Sequence, residues 1–216
     1  MATITEKEKE IAIKIFKDTA NHYNANSISK EIRMTRVGAY KALKKLEKIG
    51  ILESKRLGKA IFYKTKLDDD YAVKHIELFL MEEAKQKPRW QNEFKEISKL
   101  SEAIIIFGSI LKSEEKAKDI DILIILKLEN NKKINQIIKL KNQILTKKIH
   151  PLKQTSGDFV KNINKKDKVL LSAIKEGIIL SGFETVVDLI KNETNRQQNQ
   201  MVFKKSKEGT STKQKT

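Results

Sequence analysis

Near the N-terminus, apolar residues recur every three to four positions and stop at polar breaks. Ile11, Ala12, Ile15 and Phe16 form one stripe. Thr5 and Glu8 ahead of them have the spacing of a capping box, so a helix is expected to start there. An Asn-rich connection, Asn21–Asn26, leads to Ser27–Arg33, long enough for two helical turns around Ile28 and Ile32. Thr35 can cap a longer helix running to about Ile49, with Gly50 as its stop. Its Ala39, Ala42, Leu43 and Leu46 share one face, with Val37, Lys41, Lys44, Lys45 and Lys48 on the other. The period then changes. Ile51–Ser54, a turn-like Lys55–Lys59 containing Gly58, and Ala60–Lys66 read as a β-hairpin with a basic tip. Asp68–Asp70 begins a further helix, with Val73, Ile76, Phe79, Leu80 and Ala84 on its apolar side. Pro88 interrupts it, and Trp90, Phe94 and Ile97 resume at helical spacing as packing residues. His75, between apolar positions, reads as structural.

Past Lys99 the apolar runs shorten. Ala103–Phe107 and Ile122–Leu126, rich in β-branched Ile, read as buried parallel strands. Gly108-Ser109 ends the first and Asp119-Ile120-Asp121 opens the second. Side chains alternate along a strand, so Asp119 and Asp121 share a face, about 7 Å apart at the backbone. That pairing suits a hard divalent cation. Gly108 lets backbone approach a ligand, and a helical turn after it would aim N–H groups at phosphate. Glu129–Thr146 reads as a helix with Ile134, Ile137, Ile138, Ile144 and Leu145 inward, followed by a strand at Lys147–Thr155. Ser156–Ile163 and Lys166–Glu176 read as helices, the first capped by Ser156 near Asp158. Gly177–Gly182 is a short strand and Thr185–Ile190 a closing helix. Met201–Thr216 is polar and lacks periodicity, and disorder is expected.

Helix, short helix, basic helix, basic hairpin is the order of a winged helix-turn-helix. The stretch AYKALKKLEKIGILESKRLGKAIFY resembles the recognition helix and wing of archaeal and bacterial regulators of that class. Arg36, Val37, Tyr40, Lys41 and Lys44 are then expected to face double-stranded DNA, with Arg56 and Lys59 on phosphates. FGS at Phe107–Ser109 followed by DID at Asp119–Asp121 resembles the minimal nucleotidyltransferases of the polymerase-β superfamily. The resemblance implies a nucleoside triphosphate held by Gly108 and Ser109. It implies Asp119 and Asp121 as catalytic residues and Mg²⁺ ligands. It also implies a third carboxylate on the next strand that helps hold the metals and accepts the nucleophile's proton. No Asp or Glu occurs between Asn130 and Gly157, and the strand carries His150, Pro151 and Lys153 instead. His150 can in principle act as a base, but a lone His at a strand end reads as structural. Lys112-Ser113-Glu114 and Lys118 also depart from the family pattern. Such a site is expected to bind Mg-nucleotide and to be poorly equipped to turn it over.

Charge reinforces the first resemblance. Lys and Arg number 45 against 28 Asp and Glu, a net +17 over 216 residues, so a polyanion is the expected partner, nucleic acid foremost. The absence of Cys excludes disulfides and thiolate metal sites and fits a reducing, cytoplasmic setting. Met1–Glu10 does not read as a signal peptide, and no apolar run approaches the length of a membrane span. The expected fold is α+β: a winged helix-turn-helix at 1–68, a helical linker at 69–100, a nucleotidyltransferase-like α/β domain with a short mixed sheet at 101–192, and a helical end with a basic tail at 193–216. Three readings follow. The first is a DNA-binding nucleotidyltransferase that moves NMP onto a protein or nucleic-acid acceptor. The second is a transcriptional regulator with a non-catalytic nucleotide-sensing or interaction domain. The third, from family analogy alone, is an antitoxin-like partner of a small helical toxin. A homodimer through the helical linker is expected, and a clean homodimer from native cells would count against the third reading.

Overall fold

The structure is a computed structural model that describes residues 3–194. The expected tail at Met201–Thr216 lies outside the described residues. Helix α1 (Glu6–Lys17) starts at the capping box: Glu8 N–H donates to the Thr5 hydroxyl (3.3 Å) and Thr5 N–H to the Glu8 carboxylate (2.8 Å). Helix α2 (Ala25–Glu31) begins two residues earlier than its apolar pair suggests, because the Asn24 side chain accepts from Asn26 and Ser27 N–H and fixes the start. Helix α3 (Arg36–Lys48) is capped by Thr35, buries Ala39, Ala42, Leu43 and Leu46, and is tied to α1 by Lys45–Glu8 at 2.8 Å. Strands β1 (Leu52–Leu57) and β2 (Ala60–Thr65) form an antiparallel hairpin. Pairing runs to Leu57 and Ala60, so the turn is only Gly58-Lys59, tighter than the pattern implies. Gly58 has φ +61°, which the first position of a two-residue hairpin turn reserves for glycine. A bridge from Tyr23 to Tyr63 pins the hairpin to the chain ahead of α2. Three helices followed by an antiparallel hairpin is the element order expected of a winged helix-turn-helix.

Helix α4 (Asp70–Lys85), capped by Asp69, packs between α1 and the far sheet. Its opposite face leaves Tyr71, Leu78 and Met81 exposed. Pro88 opens the next helix rather than bending the last: α5 (Pro88–Glu93) and the single turn α6 (Lys95–Ser98) bury Trp90, Phe94 and Ile97.

Strands β3 (Ala103–Phe107), β4 (Asp119–Ile125), β5 (Lys148–Gln154) and β6 (Ile178–Ser181) form one sheet in the order β5-β4-β3-β6. The expectation that β3 and β4 run parallel is corrected: they pair antiparallel, with Phe107 opposite Asp121. Their connection holds only a 3₁₀ turn at Ser109–Leu111, too short for the crossover that a parallel pair needs. The crossover comes next. Helix α7 (Asn131–Ile144) carries the chain from β4 to a parallel β5. It buries Ile134 and Ile138, but Ile144, expected inward, is 84% exposed at the last position of the helix. Helices α8 (Ser156–Asn164) and α9 (Lys168–Glu176) follow, and Thr155, not Ser156, caps α8 by accepting from Asp158 N–H. Residues 183–194 form the closing helix α10.

The sheet has two buried faces. Ile104, Ile106, Ile120, Ile122 and Ile124 pack with Trp90, Phe94, Ile97 and α7. Ala103, Ile105, Leu123 and Ile125 face α8, α9 and α10, in an apolar cluster that continues without a break into α1, α3 and the wing. Lys17 closes this junction. Its Nζ is buried (side chain 3% exposed), 2.6 Å from Glu83 on α4 and 2.7 Å from the carbonyl of Gly177 ahead of β6. Asp18 beside it binds Lys175 of α9 at 2.9 Å and accepts from Tyr23 Oη at 2.6 Å.

Candidate metal and nucleotide site

Asp119 and Asp121 open β4, flanking buried Ile120, and lie on the sheet face that Leu123 shares with α8 and α9. The parallel register sets His150 beside Asp121 and Lys148 beside Asp119. His150 therefore belongs to the same face as the carboxylates. Its Nδ1 lies 3.1 Å from Asp119 Oδ2, and one donor atom from each of Asp119, Asp121 and His150 lies within 4.8 Å of the others. The reading of His150 as structural is thereby revised: its side chain is 62% exposed, supports no core, and stands in the cluster. The signal was present as the one ligating side chain in a strand that follows an Asp-x-Asp strand. Only the parallel pairing shows that it falls opposite Asp121.

Gly108 closes the site from the β3 side. Its φ of +84° is a conformation that side chains resist, and a Cβ there would collide with the Asp121 carboxylate. Ser109 begins the 3₁₀ turn next to it and is exposed. Gly108, Ser109, Asp119 and Asp121 thus come together at one end of the sheet. Burial, and after it the Asp119 charge, push the Asp121 carboxyl above its ordinary value, with His150 acting in the opposite direction. Two carboxylates converging where no side chain can enter suit a divalent cation. The third donor is nitrogen where an all-oxygen set would place a carboxylate.

The residues expected at DNA lie on α3 and the wing, outside this cluster. Arg36, Val37, Tyr40 and Lys41 are exposed along one side of α3, and Arg56 and Lys59 are exposed at the wing tip. Lys44 stands apart from them, partly buried and paired with Glu47 at 2.8 Å. Leu57 and Ile61 add exposed apolar surface to the wing.

Residues 89–182 match the family Polymerase beta, Nucleotidyltransferase. The matched span is under half of the chain and takes in every residue of the cluster. No curated protein matches. Among solved structures, one variant of ZitR from Lactococcus lactis is similar at 14% identity, over 53% of this chain and 70% of that one, with a TM-score of 0.35. A second ZitR variant is similar at 15% identity, over 45% and 62%, with a TM-score of 0.32. At these scores the likeness carries no argument. Among the described residues, no helix is long and apolar enough to cross a membrane.

Proposed function

We propose that this is a DNA-binding protein whose C-terminal part takes a nucleoside triphosphate with a divalent cation and transfers its nucleotidyl group to an acceptor hydroxyl. The observation that carries the reading is the convergence of Asp119, Asp121 and His150 beside Gly108. Asp119 and Asp121 would hold the cation, which when bound neutralises the triphosphate and its leaving group. Gly108 leaves the phosphates room, and Ser109 offers its N–H and hydroxyl to them. The acceptor oxygen bonds to the α-phosphorus. The bond from that phosphorus to the bridging oxygen breaks, and pyrophosphate leaves with the electron pair. The acceptor's proton passes to solvent, because both carboxylates would be engaged by the cation and the exposed Ser109 and His150 leave the site open to water. Incubation with α-labelled ATP, GTP, CTP or UTP and a divalent cation, with DNA or the chain itself as acceptor, should give label transfer that Asp121→Ala abolishes. No transfer to any acceptor overturns the catalytic reading.

One observation favours a second reading. No carboxylate stands on β5, so the nucleotide would be bound without being consumed and would report to the winged helix. This predicts salt-sensitive, sequence-specific DNA binding that shifts with added nucleotide while the nucleotide stays intact. DNA affinity indifferent to sequence and to nucleotide excludes it.

We also infer a homodimer through the outer face of α4. Tyr71, Lys74, Leu78, Met81 and Lys85 recur there with the spacing of a coiled-coil seam, opposite the buried face. Antiparallel pairing would set the acidic start of one copy's helix, Asp68 and Asp70, against Lys85 of the other. Sedimentation should show a dimer that Leu78→Lys converts to a monomer, and a monomeric wild type refutes the assignment.

A further inference from the structure

We propose that the site selects a nitrogen-accepting transition dication of the Co²⁺ and Zn²⁺ class over Mg²⁺, with His150 as the third ligand. The proposal rests on the reading of Asp119 and Asp121 as the metal ligands. It follows from the donor set and its geometry. Mg²⁺ prefers oxygen, sheds water reluctantly and is usually bound by one or two carboxylates. Imidazole suits later first-row ions, and affinity for them rises along the series toward copper. Here the third position is an imidazole whose Nδ1 is already turned toward Asp119 at 3.1 Å. With the ring proton on Nδ1, His150 donates to that carboxylate. With the proton on Nε2, the Nδ1 lone pair is free for a cation between the three side chains.

Nothing else in the described structure requires a histidine there. Its ring is exposed, and the fold would lose no buried contact if it were replaced. Its strand lies at the edge of the sheet, and its register partner is Asp121. The side chain therefore stands where a neighbouring strand can complete the Asp-x-Asp pair, with a softer donor than oxygen.

The test titrates Co²⁺ and Mg²⁺ separately into the full-length chain, by calorimetry and, for Co²⁺, by the visible spectrum that reports nitrogen ligation. The variants are His150→Asp, His150→Ala and, as a control for the other two histidines, Asp121→Asn. Since even groups that only support a ligand are worth 10–100-fold in affinity, His150→Ala should weaken Co²⁺ binding by at least about tenfold. His150→Asp, which restores three carboxylates, should lower the Co²⁺ to Mg²⁺ affinity ratio by at least about tenfold, again by comparison with those supporting groups. If both ions bind and the ratio is the same in wild type and His150→Asp, His150 is not a ligand, the proposal falls, and the carboxylate site stands. If neither ion binds the wild type and Mg-nucleotide also fails to bind, the site reading and the proposal fall together.

Discussion

Removing Glu83 from the Lys17 junction should destabilise the protein far more than removing Lys17 itself. Lys17 is buried, with Glu83 and the Gly177 carbonyl as its bonding partners and Lys14 and Glu176 as the nearby charges. Burial pulls its ammonium below lysine's ordinary value, and Glu83 opposes that pull. Glu83→Ala leaves the charge unpaired, a loss that runs to roughly 3–5 kcal/mol for buried pairs. The ammonium can escape by giving up its proton, which costs about 4.6 kcal/mol at pH 7 but only about 1.9 kcal/mol at pH 9. The expected loss is therefore about 3–4 kcal/mol at pH 7 and no more than about 2 kcal/mol at pH 9. The sign follows from linkage. A lysine with a depressed folded value binds fewer protons folded than unfolded, so stability rises with pH up to its ordinary value. Lys17→Met keeps the length, removes the charge and leaves Glu83, 26% exposed, able to reach water. It should cost about 1 kcal/mol for the stranded Gly177 carbonyl, with little dependence on pH. Urea denaturation of both variants at pH 7 and pH 9 measures this. A Lys17→Met loss equal to that of Glu83→Ala, or a Glu83→Ala loss that does not shrink at pH 9, refutes the reasoning.

Gly108→Ala forces a side chain into φ +84° and onto the Asp121 carboxylate. It should cost about 1–2 kcal/mol from the backbone alone and abolish Mg-nucleotide binding in a calorimetric titration. Burial raises the Asp18 carboxyl, but hydrogen bonds from Tyr23, Lys175 and Asn21 outweigh it and hold the group below its ordinary value. Its stabilisation should be present above the ordinary carboxylate range and lost as pH falls below it, so Asp18→Asn should flatten the acid limb of thermal stability against pH. On α7, Ile134→Ala should cost about 2–5 kcal/mol and Ile144→Ala under about 0.5 kcal/mol, since only the first is buried; comparable urea midpoints for the two would contradict this packing. Replacing both Arg56 and Lys59 by Ala should reduce the slope of log affinity for DNA against log salt by roughly 2 if both touch phosphate.

Much of the fold was legible where a local signal had a local cause. The Thr5–Glu8 box, the Thr35 cap and the stripe of Ala39, Ala42, Leu43 and Leu46 need only neighbours along the chain to act, and each appears where the pattern sets it. The local pattern misleads where another segment decides. Ile144 matches the helical period, but the period does not say where the sheet beneath α7 ends. The direction of β3 against β4 is invisible in two Ile-rich runs, since both pairings bury them equally well. It is set by the connection, whose apolar content is too slight for a covering helix.

The candidate site divides in the same way. Asp119 and Asp121 share a face by strand geometry alone, and Gly108 next to Phe107 marks the end of the strand that adjoins them. The third donor depends on a partner strand and its register, and neither can be read from the residues around His150. No carboxylate lies between Asn130 and Gly157, so the linear pattern leaves the site one member short. Placing β5 parallel to β4, with His150 opposite Asp121, changes the question from whether a ligand is missing to which ion a mixed set prefers. Two carboxylates alone would leave the preference with oxygen-seeking ions. An imidazole within 4.8 Å of both shifts it toward ions that accept nitrogen, and His150→Asp is the single substitution that isolates that shift from the rest of the fold.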